Sequence, residues 1–147
     1  MITDKLLRLS EAQAITGTEV SDNLIDLSVA RDIGQGKPLY MVWTIVTEGF
    51  NNLTDLTFAI LTNDVEDLTT TPTTLASKKV TLASGDLALG KQHVLEIPLA
   101  IAGQGERYLG CSYTVNGSNP SKGAITCDIV TDIQDGRKSY ASGFSLT

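Results

Sequence analysis

Leu39-Tyr40-Met41-Val42-Trp43-Thr44-Ile45-Val46-Thr47 is the stretch that decides the fold. One alternating set holds Leu39, Met41, Trp43 and Ile45, and the other holds Tyr40, Val42, Thr44 and Val46. Branched and aromatic residues at nearly every position favour a strand. A strand that is apolar on both faces is covered on both, by a second layer or by a partner.

The segments on either side have the same character. Upstream, residues 23–29 read as a weak strand and 32–38, with Gly34, Gly36 and Pro38, as a loop. Downstream, Asn51-Asn52 marks a connection, and residues 55–62 place Leu56, Phe58 and Ile60 on one face. An acidic, threonine-rich loop follows at 63–74, then a strand at 75–83 and a turn through Ser84-Gly85-Asp86 and Gly90. Residues 92–101 form a strand with Leu95, Ile97, Leu99 and Ile101 on one face. Pro98 cannot donate to a ladder, so that strand lies at an edge or contains a bulge. Gly103-Gln104-Gly105 is a turn.

The last two segments, 107–115 and 123–131, flank Asn119-Pro120. Folded as a hairpin about Asn119, they set Cys111 opposite Cys127, Leu109 opposite Ile129 and Tyr113 opposite Ile125, a coherent apolar face. A disulfide between directly opposed strand residues is strained, and thiols stay reduced in a cytoplasm. The expectation is therefore two buried free thiols.

Together these segments give an all-β chain: a jelly-roll-like β-sandwich of about eight antiparallel strands. A single domain spans 1–147, with an N-terminal arm at 1–18 and a C-terminal arm at 132–147. In the first arm Ser10 and Gln13 have capping-box spacing, which predicts one helical turn. Leu6, Leu7 and Leu9 fit neither the helical nor the strand period.

Composition narrows the function. Hydrophobic residues make up 41% of the chain, enough for one core. The formal net charge is −6, and the eleven Lys and Arg residues are scattered, with no basic stripe. Phosphate-neutralising contact with nucleic acid is thus not expected, nor is attraction to an anionic membrane surface. Residues 1–10 interleave charges with leucines and lack the apolar run of a signal peptide, so assembly in a cytoplasm is expected.

Catalytic and metal signatures are sparse. His93 is the single histidine; as a strand-surface residue it needs no role, and a catalytic base needs an orienting partner. Two cysteines without further histidines do not make a zinc site. The acidic clusters at 64–67 and 132–135 lack the EF-hand pattern, and a solvated loop is the simpler reading, with calcium the ion to test. Gly34-Gln35-Gly36 and Gly103-Gln104-Gly105 precede strands, whereas phosphate-binding loops precede a helix. Asn52-Leu53-Thr54 and Asn116-Gly117-Ser118 match the glycosylation pattern by chance. No Gly-x-Ser-x-Gly elbow is present. No cofactor, no metal and no enzymatic activity are expected. Tyr40, Trp43, Tyr108 and Tyr113 could line a sugar-binding face, which makes a carbohydrate-binding or lectin-like jelly-roll module the main alternative. It would require coplanar exposed aromatics. A cupin-like enzyme would require clustered histidines.

Several short stretches, in order, resemble the jelly-roll capsid cement, or decoration, proteins of tailed bacteriophages. They are 4–16 (Asp4-Lys5-Leu6-Leu7-Arg8-Leu9-Ser10-Glu11-Ala12-Gln13-Ala14-Ile15-Thr16), Ile25-Asp26-Leu27, Ala30-Arg31-Asp32-Ile33-Gly34 and Gly36-Lys37-Pro38-Leu39-Tyr40. Glu106-Arg107-Tyr108-Leu109, Tyr113-Thr114-Val115, Gly123-Ala124-Ile125-Thr126, Asp132-Ile133-Gln134-Asp135 and Tyr140-Ala141-Ser142-Gly143-Phe144 continue the likeness. Residues 63–91 carry none of it. The resemblance implies a non-enzymatic protein on the outer surface of a virion, assembled in the host cytoplasm. It would bind the major capsid protein at subunit junctions as a dimer or trimer and resist the outward pressure of packaged DNA. An arm without a core face needs a partner to fix it, so Leu6, Leu7 and Leu9 at one end, and Arg137, Tyr140 and Phe144 at the other, are the expected capsid or subunit contacts.

Overall fold

The computed structural model describes residues 3–28, 37–98 and 106–133. Nine strands form among them: β1 (Arg8–Ala14), β2 (Glu19–Val20), β3 (Ile25–Asp26), β4 (Tyr40–Val46), β5 (Leu53–Asn63), β6 (Thr73–Thr81), β7 (Gln92–Glu96), β8 (Tyr108–Gly117) and β9 (Ala124–Val130). One sheet has the order β1-β9-β4-β7 and the other β2-β8-β5-β6, with β3 also on β8. All strand pairs are antiparallel. Because β2 and β3 both pair with β8, they act as one interrupted strand. Eight strand positions then divide between two layers in jelly-roll order, with β5 and β6 consecutive in one of them, and the sandwich is the one the sequence predicts.

The core lies between β4 and β5. β4 sits between β9 and β7, and turns Met41, Trp43 and Ile45 inward to full burial. β5 sits between β8 and β6 and buries Leu56, Phe58 and Ile60 in the facing layer. Phe58 is the hub. Its ring lies 5.4 Å from Trp43, 5.0 Å from His93 in a stacked arrangement, and 6.3 Å from Tyr113 edge-on. Such offset and edge contacts add to the gain from area alone. β7 is an edge strand and ends two residues before Pro98, as that proline requires.

The expected hairpin between the last two strands does not form. β8 pairs with β5 and β9 pairs with β4 and β1, in opposite layers. Cys111 and Cys127 still face each other, with Sγ atoms 3.7 Å apart, but across the sandwich. Alternation fixes which residues point inward. It does not say whether two inward faces meet side by side in one sheet or face to face between two. Both thiols are free and buried, as expected.

The expected N-terminal arm is also corrected. From Arg8 onward it is β1, an edge strand on β9, with Leu9 and Ile15 fully in the core. The helical turn falls earlier, at Lys5–Leu7, capped by the Asp4 carboxylate, which accepts from Leu6 N–H at 2.9 Å. The Ser10–Gln13 spacing does make a bond, Ser10 Oγ–H to Gln13 Oε1 at 2.6 Å, but across a bulge in β1. Ala12, at φ 48°, supplies the left-handed residue of that bulge. The C-terminal arm lies outside the described residues from 134 onward.

The bond at Ser10 fixes the direction of a buried polar chain. Gln13 Oε1 can only accept, so Ser10 donates to it. Ser10 Oγ, 2.8 Å from Tyr113 Oη, must then accept from the tyrosine. Tyr113 Oη in turn accepts the Cys111 S–H at 3.4 Å. The Cys127 thiol is left to supply the proton between the two sulfurs. The chain runs from β1 to β8 to β9 and crosses the sandwich twice. It satisfies buried hydroxyls that would otherwise be costly.

Outside the second sheet, the acidic loop at 64–72 folds back on the strands. Leu68 packs on Ala59 and Leu61, with Val20 and Leu24 around it. Gly110 makes room: a Cβ there would run into the Leu68 side chain. Asn63 Nδ2 ties the loop down through the Asp67 and Thr70 carbonyls.

Candidate functional site

The strand ends define two poles of the sandwich. Register places Arg8 beside Asp128, Tyr40 between Val130 and Glu96, and Tyr108 between Asp26 and Asn63. The connection from β4 to β5 closes the opposite pole: Asn51 Oδ1 accepts from the Ser121 and Lys122 N–H groups at 3.0 and 3.1 Å. The first pole is thus the one where β1 and β4 begin and β3 and β9 end.

Among the described residues, three leucines stand in solvent there, each within two residues of a strand end, and Val65, two residues past β5, is exposed as well. Leu6 is 86% exposed, Leu27 53% and Leu39 40%. They are exposed for local reasons. The Asp4 cap holds the turn at Lys5–Leu7, and Leu7 packs against the core while its neighbour Leu6 points away. Leu27 follows β3, its N–H donating to the Arg107 carbonyl at 2.8 Å. Leu39 precedes β4, and its carbonyl accepts from Ile97 N–H at 2.8 Å. Each leucine therefore rises from backbone held by hydrogen bonds.

Two sets of paired charges border these leucines. Arg107 grips Asp26 with both arms of its guanidinium, Nε to Oδ1 at 2.8 Å and Nη2 to Oδ2 at 2.7 Å, and lies over the Tyr108 ring at 5.1 Å. The Arg107 bond and the Ser28 N–H hold the Asp26 carboxyl down at about 2. An exposed pair of this kind stabilises little; its effect is to orient the rim. Arg8 similarly bridges Asp128 at 2.8 Å and Glu11 at 3.1 Å. Exposed leucines on hydrogen-bonded backbone, rimmed by ion pairs, suit docking onto another protein surface.

Of the predicted contacts, Leu6 lies on this surface. Leu7 is half-buried against the core, and Leu9 is fully buried, so Leu9 is corrected from contact to core. The reason is the pairing of β1 with β9, which turns Leu9 inward. Arg137, Tyr140 and Phe144 lie outside the described residues. Sequence reasoning missed Leu27 and Leu39 as exposed residues. Both continue strand-like alternation, and only the strand ends distinguish them.

The other candidates are placed differently. Trp43 and Tyr113 are core residues. Tyr40 and Tyr108 alternate with inward residues of opposite sheets, so they lie on opposite outer faces and form no coplanar platform. His93 is buried, not at the surface as expected, because β7 turns it inward onto Phe58. Its Nε2 bonds the Asp86 carbonyl at 2.9 Å, and burial lowers its pKa. It borders an open cleft of about 390 Å³ with Lys78, Lys79, Ser84 and Gln92. In the acidic loop, the Asp67 carboxylate accepts from Thr69 N–H and Oγ1–H, and bonds from Thr70 and Thr69 hold it down at about 2. Among the described residues no three His, Cys, Asp or Glu side chains converge as metal ligands.

A protein-family model described as Bbp16 matches residues 9–129, a span that takes in nearly the whole sandwich. No curated protein matches the chain.

Proposed function

The chain belongs to the Bbp16 family, and on that premise we propose that it is a structural cement, or decoration, protein of a bacteriophage head. It binds the outer surface of the shell at junctions of the major capsid protein and stabilises the shell against internal DNA pressure. The observation that carries this reading is the apolar pole, with Leu6, Leu27 and Leu39 exposed together on a braced rim. Full burial of an exposed leucine stabilises by about 1.5–3 kcal/mol; Leu6, Leu27 and Leu39, 86%, 53% and 40% exposed, would each contribute a part of that in proportion, together an anchor. The order of short sequence matches to phage cement proteins supports the same reading. So does the net charge of −6, which suits the outside of a DNA-filled shell better than its lining. A protein that binds only the assembled shell stabilises it by mass action. A symmetric dimer or trimer gripping several subunits gains further from effective concentration.

The test is occupancy on undecorated shells. Leu6→Asp and Leu39→Asp, combined, place charge on the pole without touching the core. The variant is expected to keep the wild-type melting temperature and to lose shell binding. Wild-type occupancy in this variant would remove the pole as the anchor.

A further inference from the structure

We infer that Cys111 and Cys127 are a latent inter-sheet disulfide, a modification site that staples the two layers of the sandwich together under oxidising conditions. The inference is independent of the capsid reading. The sulfurs are 3.7 Å apart, both fully buried, and borne by strands of opposite sheets. The strain of a bond between directly opposed residues of one ladder therefore does not arise. Closing to a bond of about 2.05 Å requires side-chain rotation and a small approach of the layers.

In the closed core the two sulfurs differ in acidity. Burial raises both thiols; around Cys111 the neighbouring polar groups outweigh it and its pKa falls below the ordinary value, whereas Cys127 is pushed well up. Trp43 Nε1–H is buried without a hydrogen-bond partner among the described residues.

The oxidant is a small-molecule disulfide, RSSR. In a transiently opened sandwich either cysteine can react first; taken from Cys111, its thiolate attacks one sulfur of RSSR, forming a mixed disulfide and releasing RS⁻. The Cys127 thiolate then attacks the Cys111 sulfur, displacing the second RS⁻. The two cysteine protons go to the two leaving thiolates, giving 2 RSH. Two cysteines are oxidised and one small disulfide is reduced. The mixed disulfide cannot fit in a core where both sulfurs have no exposure. Reclosure therefore expels R and selects the internal bond.

The experiment is incubation of the full chain with oxidised glutathione near its unfolding midpoint, return to native conditions, and intact-mass measurement. The expected product is lighter by two hydrogens, has no thiol titratable in denaturant, and melts roughly 6–12 °C higher, as closing a loop of about fifteen residues implies. A stable glutathione adduct, or two free thiols after the cycle, overturns the inference. So does a disulfide form that melts lower than the reduced protein. The wild-type readout needs no variant; Cys127→Ser adds a control expected to give no loss of two hydrogens.

Discussion

The directed chain from Gln13 through Ser10 and Tyr113 to the thiols can be tested by two substitutions and their combination. Ser10→Ala removes the acceptor of the Tyr113 O–H and one of the two donors to Gln13 Oε1, which keeps the Asp22 N–H at 3.1 Å. The phenol must then turn to Cys111, a weak sulfur acceptor, or stay unpaired in the closed core. An orphaned buried donor costs about 1–3 kcal/mol. Tyr113→Phe removes the phenol oxygen altogether. Ser10 keeps its bond to Gln13, and Cys111 loses only a weak S–H contact, so the expected cost is about 0.5–1.5 kcal/mol. In the double variant the orphan created by the first change is deleted by the second. The double variant is therefore expected to be more stable than Ser10→Ala alone, with a coupling of about 1–2 kcal/mol. Urea titration followed by fluorescence of Trp43, the single tryptophan and a core residue, reads all four proteins. Costs that add to within about 0.5 kcal/mol would refute a continuous chain.

Three further outcomes follow from the same geometry. Leu9→Ala should destabilise by about 2–5 kcal/mol in urea titration, because the site is core, whereas Leu6→Ala should stay within about 0.5 kcal/mol; equal effects would return the segment to being an arm. Burial lowers His93 from its ordinary 6.5, so the folded protein stays neutral there while the unfolded chain takes up a proton as pH falls below 6.5. Stability present above that value is lost on acidification, and His93→Phe should flatten the curve as pH falls below 6.5. Gly123→Ala should destabilise more than Gly110→Ala in the same titration. Gly123, at φ 119°, faces the Phe50 ring. At Gly110 the clash is with the swinging end of Leu68, so the expected result there is a loosened 64–72 loop, seen as faster amide exchange.

The architecture was legible where burial enforces a period. The alternation of Met41, Trp43 and Ile45, and of Leu56, Phe58 and Ile60, assigns inward faces that the structure reproduces, and Pro98 correctly implies an edge. Pairing was less legible. Cys111 and Cys127 share an inward parity that a hairpin and a two-layer contact satisfy equally, and only the long-range register of β8 on β5 decides between them. β1 was hidden by its two register shifts: between Leu9 and Ile15 the buried positions are the polar Ser10 and Gln13, so no alternating apolar run marks the strand. His93 was misplaced because a polar residue on an apolar face reads as an exception, although its parity already matched Leu95. The candidate site was half visible. Leu6 and Leu7 look alike in sequence, and the Asp4 cap settles which of them faces solvent.

Cryo-electron microscopy of shells assembled from the accompanying major capsid protein, with and without this chain, tests the proposed role most directly. The account predicts added density on the outer face at subunit junctions, with the pole carrying Leu6, Leu27 and Leu39 against the shell. Bare shells beside folded protein, density on the inner face, or docking through the opposite pole would contradict it.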